Sequence, residues 1–286
     1  MSCTVLSPIK INLILKVYDR RPDGYHDIYS LFWQKIAAER LTIFTNCAEI
    51  TADIIDVEGA VISGENILTK VLKTARERGL FIPPLKIRLE KHFPAGSGIG
   101  AGSGNAAALI KWLGTEYGLA LSCGEIAKLG ADVAFMTTDH SIAAARGAGE
   151  LLSQATAELK YTWLLVFPTW QSNTAEAYRK LDEARCGASA SMVADDARLE
   201  EAVLRRLLAG ECAGRLPNDF FDVLAAEHAE YLLAEQTVQE SGASAWGLCG
   251  SGSAFFALYA DRGAAEAAAQ IFNKMQWVIK TYIDTE

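Results

Sequence analysis

The chain has 286 residues, half of them hydrophobic and 22% charged, which suits a buried core and excludes global disorder. Lys plus Arg number 27 and Asp plus Glu 35, for a formal charge of −8. That balance excludes a nucleic-acid or anionic-membrane binder working through a broad basic face. It leaves phosphate chemistry open, because helix N-termini and glycine loops hold phosphate without cationic side chains.

The six cysteines, Cys3, Cys47, Cys123, Cys186, Cys212 and Cys249, form no CxxC pair, and no Cys/His cluster has zinc spacing. The first residues, MSCTVLSPIKINL, lack the basic and apolar regions of a signal peptide, and no run of about 18 apolar residues could span a bilayer. The expectation is a cytoplasmic protein with reduced thiols.

In chain order, Ile9, Ile11, Leu13, Leu15 and Val17 alternate with Lys10, Asn12, Ile14 and Lys16, a period-2 strand that puts Lys10 and Asn12 on one face. Residues 41–44 and 87–89 read as further strands. Between them Leu68, Val71, Leu72 and Ala75 form a helical stripe stopping at Gly79, opened by Asn66 as N-cap. Ser122 and Glu125 make a capping box for a short helix ending near Gly130. A strand follows at 141–145.

The pattern restarts near Tyr161 with a strand at 163–167, Pro168, and a helix from Thr174 to about Arg185. Residues 186–194, CGASASMVA, are the most linker-like stretch. Helices are predicted over 196–209 and 219–240, then a strand, a Gly/Ser turn, a strand at 254–259, a helix at 264–275 and a last strand at 277–283. No unit of 20–50 residues repeats, so no solenoid is indicated. The class is α+β in two lobes, with a boundary placed near residue 155: an N-terminal lobe over 1–155 and a C-terminal lobe over 156–286.

Residues 94–108 read PAGSGIGAGSGNAAA between the strand LKIRLE and the helical stripe Ala106, Leu109, Ile110, Leu113. Glycine at this density lets backbone N–H groups converge without Cβ obstruction, and the following helix N-terminus favours an anion. The implied geometry is a phosphate cradle. A Walker A loop is excluded, since no Lys follows these glycines. Residues 96–101 pass as a loose GxGxxA dinucleotide fingerprint, but the next acid, Glu116, ends a helix where that fold needs the end of a strand.

Four segments together resemble the GHMP small-molecule kinases: SPIKINLILKVYDRRPDGYH (7–26), the glycine loop, GADVAF (130–135) followed by AARGAGE, and CGSGSA (249–254). NTAEAY (173–178) and PNDF (217–220) are minor matches. The resemblance runs from residue 7 to about 256, and the pairing of KINL with DGYH is its sharpest part. Ser97, Ile99, Ala101 and Gly104 depart from the family's loop (Ala, Leu, Gly, Ser), and Ala134 stands where the family has proline.

The resemblance implies a ribosomal-protein-S5-like N-terminal lobe, a ferredoxin-like C-terminal lobe and a site between them. It implies an ATP-dependent kinase of isoprenoid biosynthesis by the non-mevalonate route, phosphorylating the tertiary hydroxyl of a cytidyl diphosphate alcohol. Homoserine- or mevalonate-type kinases, and a catalytically weak nucleotide-binding paralogue, stay open as alternatives. Asp132 would accept the hydroxyl proton with Lys10 beside it. Asn12 would fix the substrate's hydroxyl end, and Tyr25, His26 and Tyr178 would take the cytosine ring. Pro94, Gly96, Ser97, Gly98, Ile99, Gly100, Ala101, Gly102, Ser103, Gly104 and Asn105 would form the ATP loop, with Mg²⁺ near Ser103. Gly250 and Gly252 would let the third loop approach the cleft. No nucleic acid or membrane partner is implied, and a homodimer is left open.

Overall fold

The structure is a computed structural model describing residues 2–45, 50–62, 64–185 and 195–284. The linker-like stretch 186–194 lies outside the described residues. Along the chain come β1 (Ser2–Arg20), β2 (His26–Phe44), β3 (Ile54–Glu58), α1 (Ile67–Glu77), β4 (Lys86–Glu90) and α2 (Ala101–Tyr117). Next are α3 (Cys123–Leu129), α4 (Ala131–Met136), β5 (Ile142–Arg146), β6 (Leu151–Gln154), β7 (Thr162–Pro168) and α5 (Thr174–Ala184). Then follow α6 (Asp196–Leu208), β8 (Gly214–Arg215), α7 (Phe221–Ala225) and α8 (Glu230–Glu240). The last elements are β9 (Ala245–Leu248), β10 (Phe255–Tyr259), α9 (Arg262–Phe272) and β11 (Val278–Ile283).

The mixed α+β architecture is as expected, with the described residues forming two compact units interleaved along the chain. Unit 1 comprises Met1–Lys10, Gln34–Ala95 and Gly100–Asp139; unit 2 comprises Ile11–Trp33, Gly96–Ile99 and His140–Glu286. The hairpin β1–β2 contributes strand length to both.

In unit 1, β4 pairs parallel with β3 and antiparallel with the second half of β2, with Leu41 opposite Leu89 and Ile43 opposite Ile87. The stripe of α1, Leu68, Val71, Leu72 and Ala75, is fully buried in one core cluster with Leu41, Ile43, Ile87, Leu89 and Leu109, Leu113 of α2. Burying each of the Leu, Ile and Val side chains here contributes about 1.5–3 kcal/mol. The Asn66 side chain accepts from Leu68 N–H and starts α1 there, and the Ser122–Glu125 capping box starts α3. Two cross-links close the unit: Arg76 forks onto Asp53 at 2.5 and 2.8 Å, and Asp53 also accepts from Leu85 N–H.

In unit 2, the first half of β2 pairs with β5, which pairs with β6. A separate sheet has the order β11-β7-β10-β9-β8. Its central strands β7 and β10 are buried at every residue, matching their continuous apolar runs. α9 lays Ala265, Ala268, Ala269 and Phe272 into the core of this unit.

One expected element is corrected. The single helix predicted over 219–240 is two, α7 and α8, because the chain turns at 226–229. Leu224 and Tyr231 are seven residues apart and read as one helical face, so periodicity alone hides the break. The turn is held by a tertiary contact, the His228 ring stacked on Trp170 at 4.2 Å and 6°.

Candidate active site

The glycine loop begins just after β4. Gly96, Gly98 and Gly100 have φ of +69°, +80° and +67°, the left-handed region that disfavours a Cβ. Ile99 and Ser97 are buried and Pro94 is half-buried, so the loop presents backbone more than side chains. Gly100 is the N-cap of α2 and no side chain caps that end. The first helical bond is Gly104 N–H to Gly100 O, so the N–H groups of Ala101, Gly102 and Ser103 precede it at the positive end of a 17-residue helix. A Cβ on Gly102 would meet nothing within 4 Å, so this backbone is open to an approaching group.

Two residues of the loop behave differently from expectation. Asn105 is 1% exposed, and its amide donates to Ser7 Oγ and Glu39 Oε2, both at 2.9 Å, while its carbonyl accepts from Lys91 Nζ at 3.1 Å. Its side chain is therefore turned into unit 1 and does not stand over the loop as a phosphate ligand. Gly104, the position where the family has a hydroxyl, packs on β1: a Cβ there would lie 1.8 Å from Pro8 O. No phosphate contact is lost at a position that faces protein backbone.

The close approach at Gly104 brings α2 against β1 beside Lys10. Lys10 is 4% exposed, and its Nζ lies 3.6 Å from Asp132 Oδ2. Asp132 is in the first turn of α4, which starts at Gly130. Gly100 closes this group: a Cβ on it would stand 3.2 Å from Asp132 Oδ2 and 3.5 Å from Lys10 Cγ. Ser103 Oγ lies 3.8 Å from where a Cβ on Gly130 would be. Unit 1 thus assembles an ammonium, a carboxylate, a hydroxyl and an uncapped helix N-terminus. Among its described residues, as among those of unit 2, no group of three His, Cys, Asp or Glu could by itself hold a metal. The Ser103 hydroxyl suits Mg²⁺, which takes few protein oxygens and completes its shell with phosphate and water.

In unit 2, residues 96–99 are zipped to the third loop. Ser253 N–H donates to Gly96 O at 3.3 Å and Ala254 N–H to Ser97 O at 3.0 Å. Side chains fix that third loop in turn. Asn12 Oδ1 accepts from Gly250 N–H, Asn218 Nδ2 donates to Gly250 O, Ser172 Oγ donates to Ser251 O, and Tyr231 Oη donates to Ser253 O. Burial pushes the Tyr231 phenol well above its ordinary range, which keeps it a neutral donor. The expectation for Asn12 changes accordingly. It is 2% exposed, and Nδ2 donates to Ser30 Oγ, so both ends of its amide are engaged within the protein.

The DGYH segment forms the turn between β1 and β2. Asp23 Oδ1 accepts from Tyr25 N–H, and Gly24 takes a φ of +89°. His26 opens β2, buried, with Nδ1 at 2.8 Å from Tyr18 O and Nε2 at 3.3 Å from Asp182 Oδ2. Tyr178 of α5 stacks on it at 5.0 Å and 28° and meets Phe220 edge-on. His26 and Tyr178, 152 positions apart, are brought together, whereas Tyr25 stands 66% exposed on the turn.

Sequence reasoning missed Asp182, Ser172, Asn218 and Tyr231 as holders of these groups, and Glu39 behind the loop. Asp182 had a signal, being one helical turn after Tyr178 and so on the same face. Glu39 had one too: period 2 counted back from Ile43 and Leu41 places it on the core face.

Profiles of the GHMP kinases N terminal domain and the GHMP kinases C terminal domain match residues 66–147 and 199–276. A 4-diphosphocytidyl-2-C-methyl-D-erythritol kinase of Nitratidesulfovibrio vulgaris is 33% identical over 290 residues, covering 93% of each chain. The chain belongs to the GHMP kinases. A second relative of this GHMP kinase, with the same enzyme name, from Moorella thermoacetica, is 33% identical over 286 residues, covering 96% of this chain and 94% of its own. The crystal structure of a 4-(cytidine 5'-diphospho)-2C-methyl-D-erythritol kinase superposes with a TM-score of 0.80 at 27% identity, covering 98% of both chains. The two-lobed GHMP kinase fold is therefore as expected, and the protein is an ATP-dependent kinase of small molecules. Among the described residues no helix is long and apolar enough to cross a membrane.

Proposed function

We propose that this GHMP kinase transfers the γ-phosphoryl group of ATP to the tertiary 2-hydroxyl of 4-diphosphocytidyl-2-C-methyl-D-erythritol, releasing ADP and the 2-phosphate. The observation that carries the chemistry is the Lys10–Asp132 pair at 3.6 Å, enclosed by Gly100 at the open N-terminus of α2. Asp132 accepts the acceptor's hydroxyl proton, and the Lys10 ammonium stabilises the alkoxide that develops as the O–H bond weakens. The N–H groups of Ala101, Gly102 and Ser103 hold the transferring phosphate against that oxygen. Mg²⁺ bound with ATP would neutralise the charge on the β- and γ-phosphate oxygens. The Ser103 hydroxyl would help hold it, leaving Asp132 for the proton.

His26 and Tyr178 supply the base-recognition end: Tyr18 O and Asp182 anchor the imidazole through its two nitrogens, and it backs the Tyr178 ring as an aromatic wall for a pyrimidine, with the exposed Tyr25 on the turn beside His26. Asn12 acts by holding Gly250 in place. The packing of Gly104 on Pro8 speaks for an active kinase over a weak paralogue, since the missing hydroxyl has no room there. The charge of −8 and a water-soluble nucleotide acceptor support a cytoplasmic enzyme without nucleic acid or membrane as partner. In this reading the catalytic groups fall in the 1–155 lobe, and Tyr178 and the third loop in the 156–286 lobe.

A coupled ADP-release assay tests the proposal. Turnover is expected with the cytidyl alcohol and not with homoserine or mevalonate. Turnover of either control at a comparable kcat/KM would overturn the substrate assignment.

A further inference from the structure

Glu39 is a fully buried carboxylate that the chemistry described above does not use. Its four acceptor contacts divide between two places. Oε1 accepts from the N–H groups of His92 and Phe93, both at 3.1 Å, immediately before the glycine loop. Oε2 accepts from Asn105 Nδ2 at 2.9 Å, immediately after the loop, and from Lys91 Nζ at 2.7 Å. Lys91, with its side chain 8% exposed, donates to the Asn105 carbonyl as well, so charge and hydrogen bonding are both balanced in the knot. A carboxylate removed from water is tolerated only when paired and fully hydrogen-bonded, and this one is.

We infer that Glu39 is a positioning residue for nucleotide binding: one carboxylate staples the chain before and after the glycine loop, and so sets where the N–H groups at the start of α2 stand. A flexible 11-residue loop has many shapes, and fixing both its ends removes most of that freedom before the nucleotide arrives. The staple uses no group that touches the phosphates. It accounts for the buried orientation of Asn105, whose part is to be held by Glu39 and not to hold ATP. The inference rests on reading 94–104 as the ATP loop of a kinase.

The test is a carboxylate–amide exchange. Glu39→Gln keeps the acceptor facing His92 and Phe93 but turns an NH₂ group toward the Asn105 NH₂, and leaves the Lys91 ammonium without its carboxylate. Asn105→Asp alone sets two carboxylates against each other. Combined, Glu39→Gln with Asn105→Asp restores one carboxylate, one ammonium and a matched donor–acceptor pair with the polarity reversed.

Affinity for MgATP is measured by calorimetry, together with KM for each substrate and amide hydrogen exchange over residues 92–105. Each single variant is expected to weaken MgATP binding and raise the KM for ATP by about tenfold or more, with the KM for the acceptor changed little. Exchange over 92–105 should accelerate, and the double variant should recover most of both effects. Unchanged ATP affinity in a folded Glu39→Gln overturns the inference, as does an equal rise in both KM values. If Glu39→Gln does not fold, the double variant decides: recovery of fold and MgATP affinity supports the staple, and recovery of neither, or of the fold alone, overturns it. Failure of the kinase reading itself would show differently, as a wild-type protein that neither binds MgATP nor releases ADP.

Discussion

Gly98 lies so close to Cys249 that a Cβ built on it would stand 1.8 Å from the Cys249 carbonyl oxygen. The glycine loop and the third loop therefore meet backbone to backbone, and this position admits no side chain. Gly98→Ala also requires alanine at a φ of +80°. It is expected to cost about 1–3 kcal/mol in a denaturant melt and to raise the KM for ATP severalfold at least. Unaltered stability would mean the two loops separate readily.

Gly102 makes the opposite case. It is helical, and a Cβ there meets nothing. Gly102→Ala should leave stability unchanged or raise it by about 0.5–1 kcal/mol. If phosphate approaches the start of α2, the added methyl nevertheless raises the KM for ATP. A more stable enzyme with unchanged ATP kinetics would show that the phosphate lies elsewhere.

For the Lys10–Asp132 pair, Asp132→Asn is expected to lower kcat by about 10²–10⁴-fold while calorimetric affinity for the acceptor stays within a few-fold. Lys10→Met, which keeps the buried stem and removes the charge, should also act on kcat. Near-normal turnover in Asp132→Asn would remove the base role.

Tyr178 covers His26 and leans on Phe220, so it has both a recognition and a packing reading. Tyr178→Leu preserves most of the apolar volume. Recognition predicts a rise of up to about tenfold in the acceptor KM with ATP kinetics unchanged. A matching loss of thermal stability with both KM values unchanged would leave packing as its only role.

Burial pushes the Asp53 carboxyl up, but the Arg76 fork and the Leu85 N–H outweigh it and leave its pKa below the ordinary carboxylate range. With the folded value depressed, the stabilisation is present above the unfolded pKa of about 3.9 and is lost as pH falls through the folded value. Asp53→Asn should therefore cost about 1 kcal/mol at pH 7, discounted for solvent around the partly exposed Arg76, and progressively less below about pH 4. A cost that did not shrink on acidification would point to shape, not charge.

Much of this was legible before any coordinates. The stripe Leu68, Val71, Leu72, Ala75, the Asn66 cap and the Ser122–Glu125 box are local, governed by neighbours three or four residues away. The apolar strands β7 and β10 carry their own burial in their composition. The break between α7 and α8 was not legible, because its cause, Trp170 against His228, lies 58 positions away in sequence. Asn105 read as a phosphate ligand for the same reason: its position in the loop is local information, and its partners Ser7, Glu39 and Lys91 are not.

By itself the sequence determined the class and the glycine loop, since dihedral preference, periodicity and residue chemistry act over short range, while Lys10 and Asp132 were pointed to by the resemblance to the family's motifs. The tertiary structure decided which hydrogen bond each polar side chain spends. Asn12 and Asn105 look alike as candidates, yet both amides are used within the protein, one holding Gly250 and the other held by Glu39. A buried polar group must find a partner wherever the fold puts one, and that partner is set by contacts across the chain.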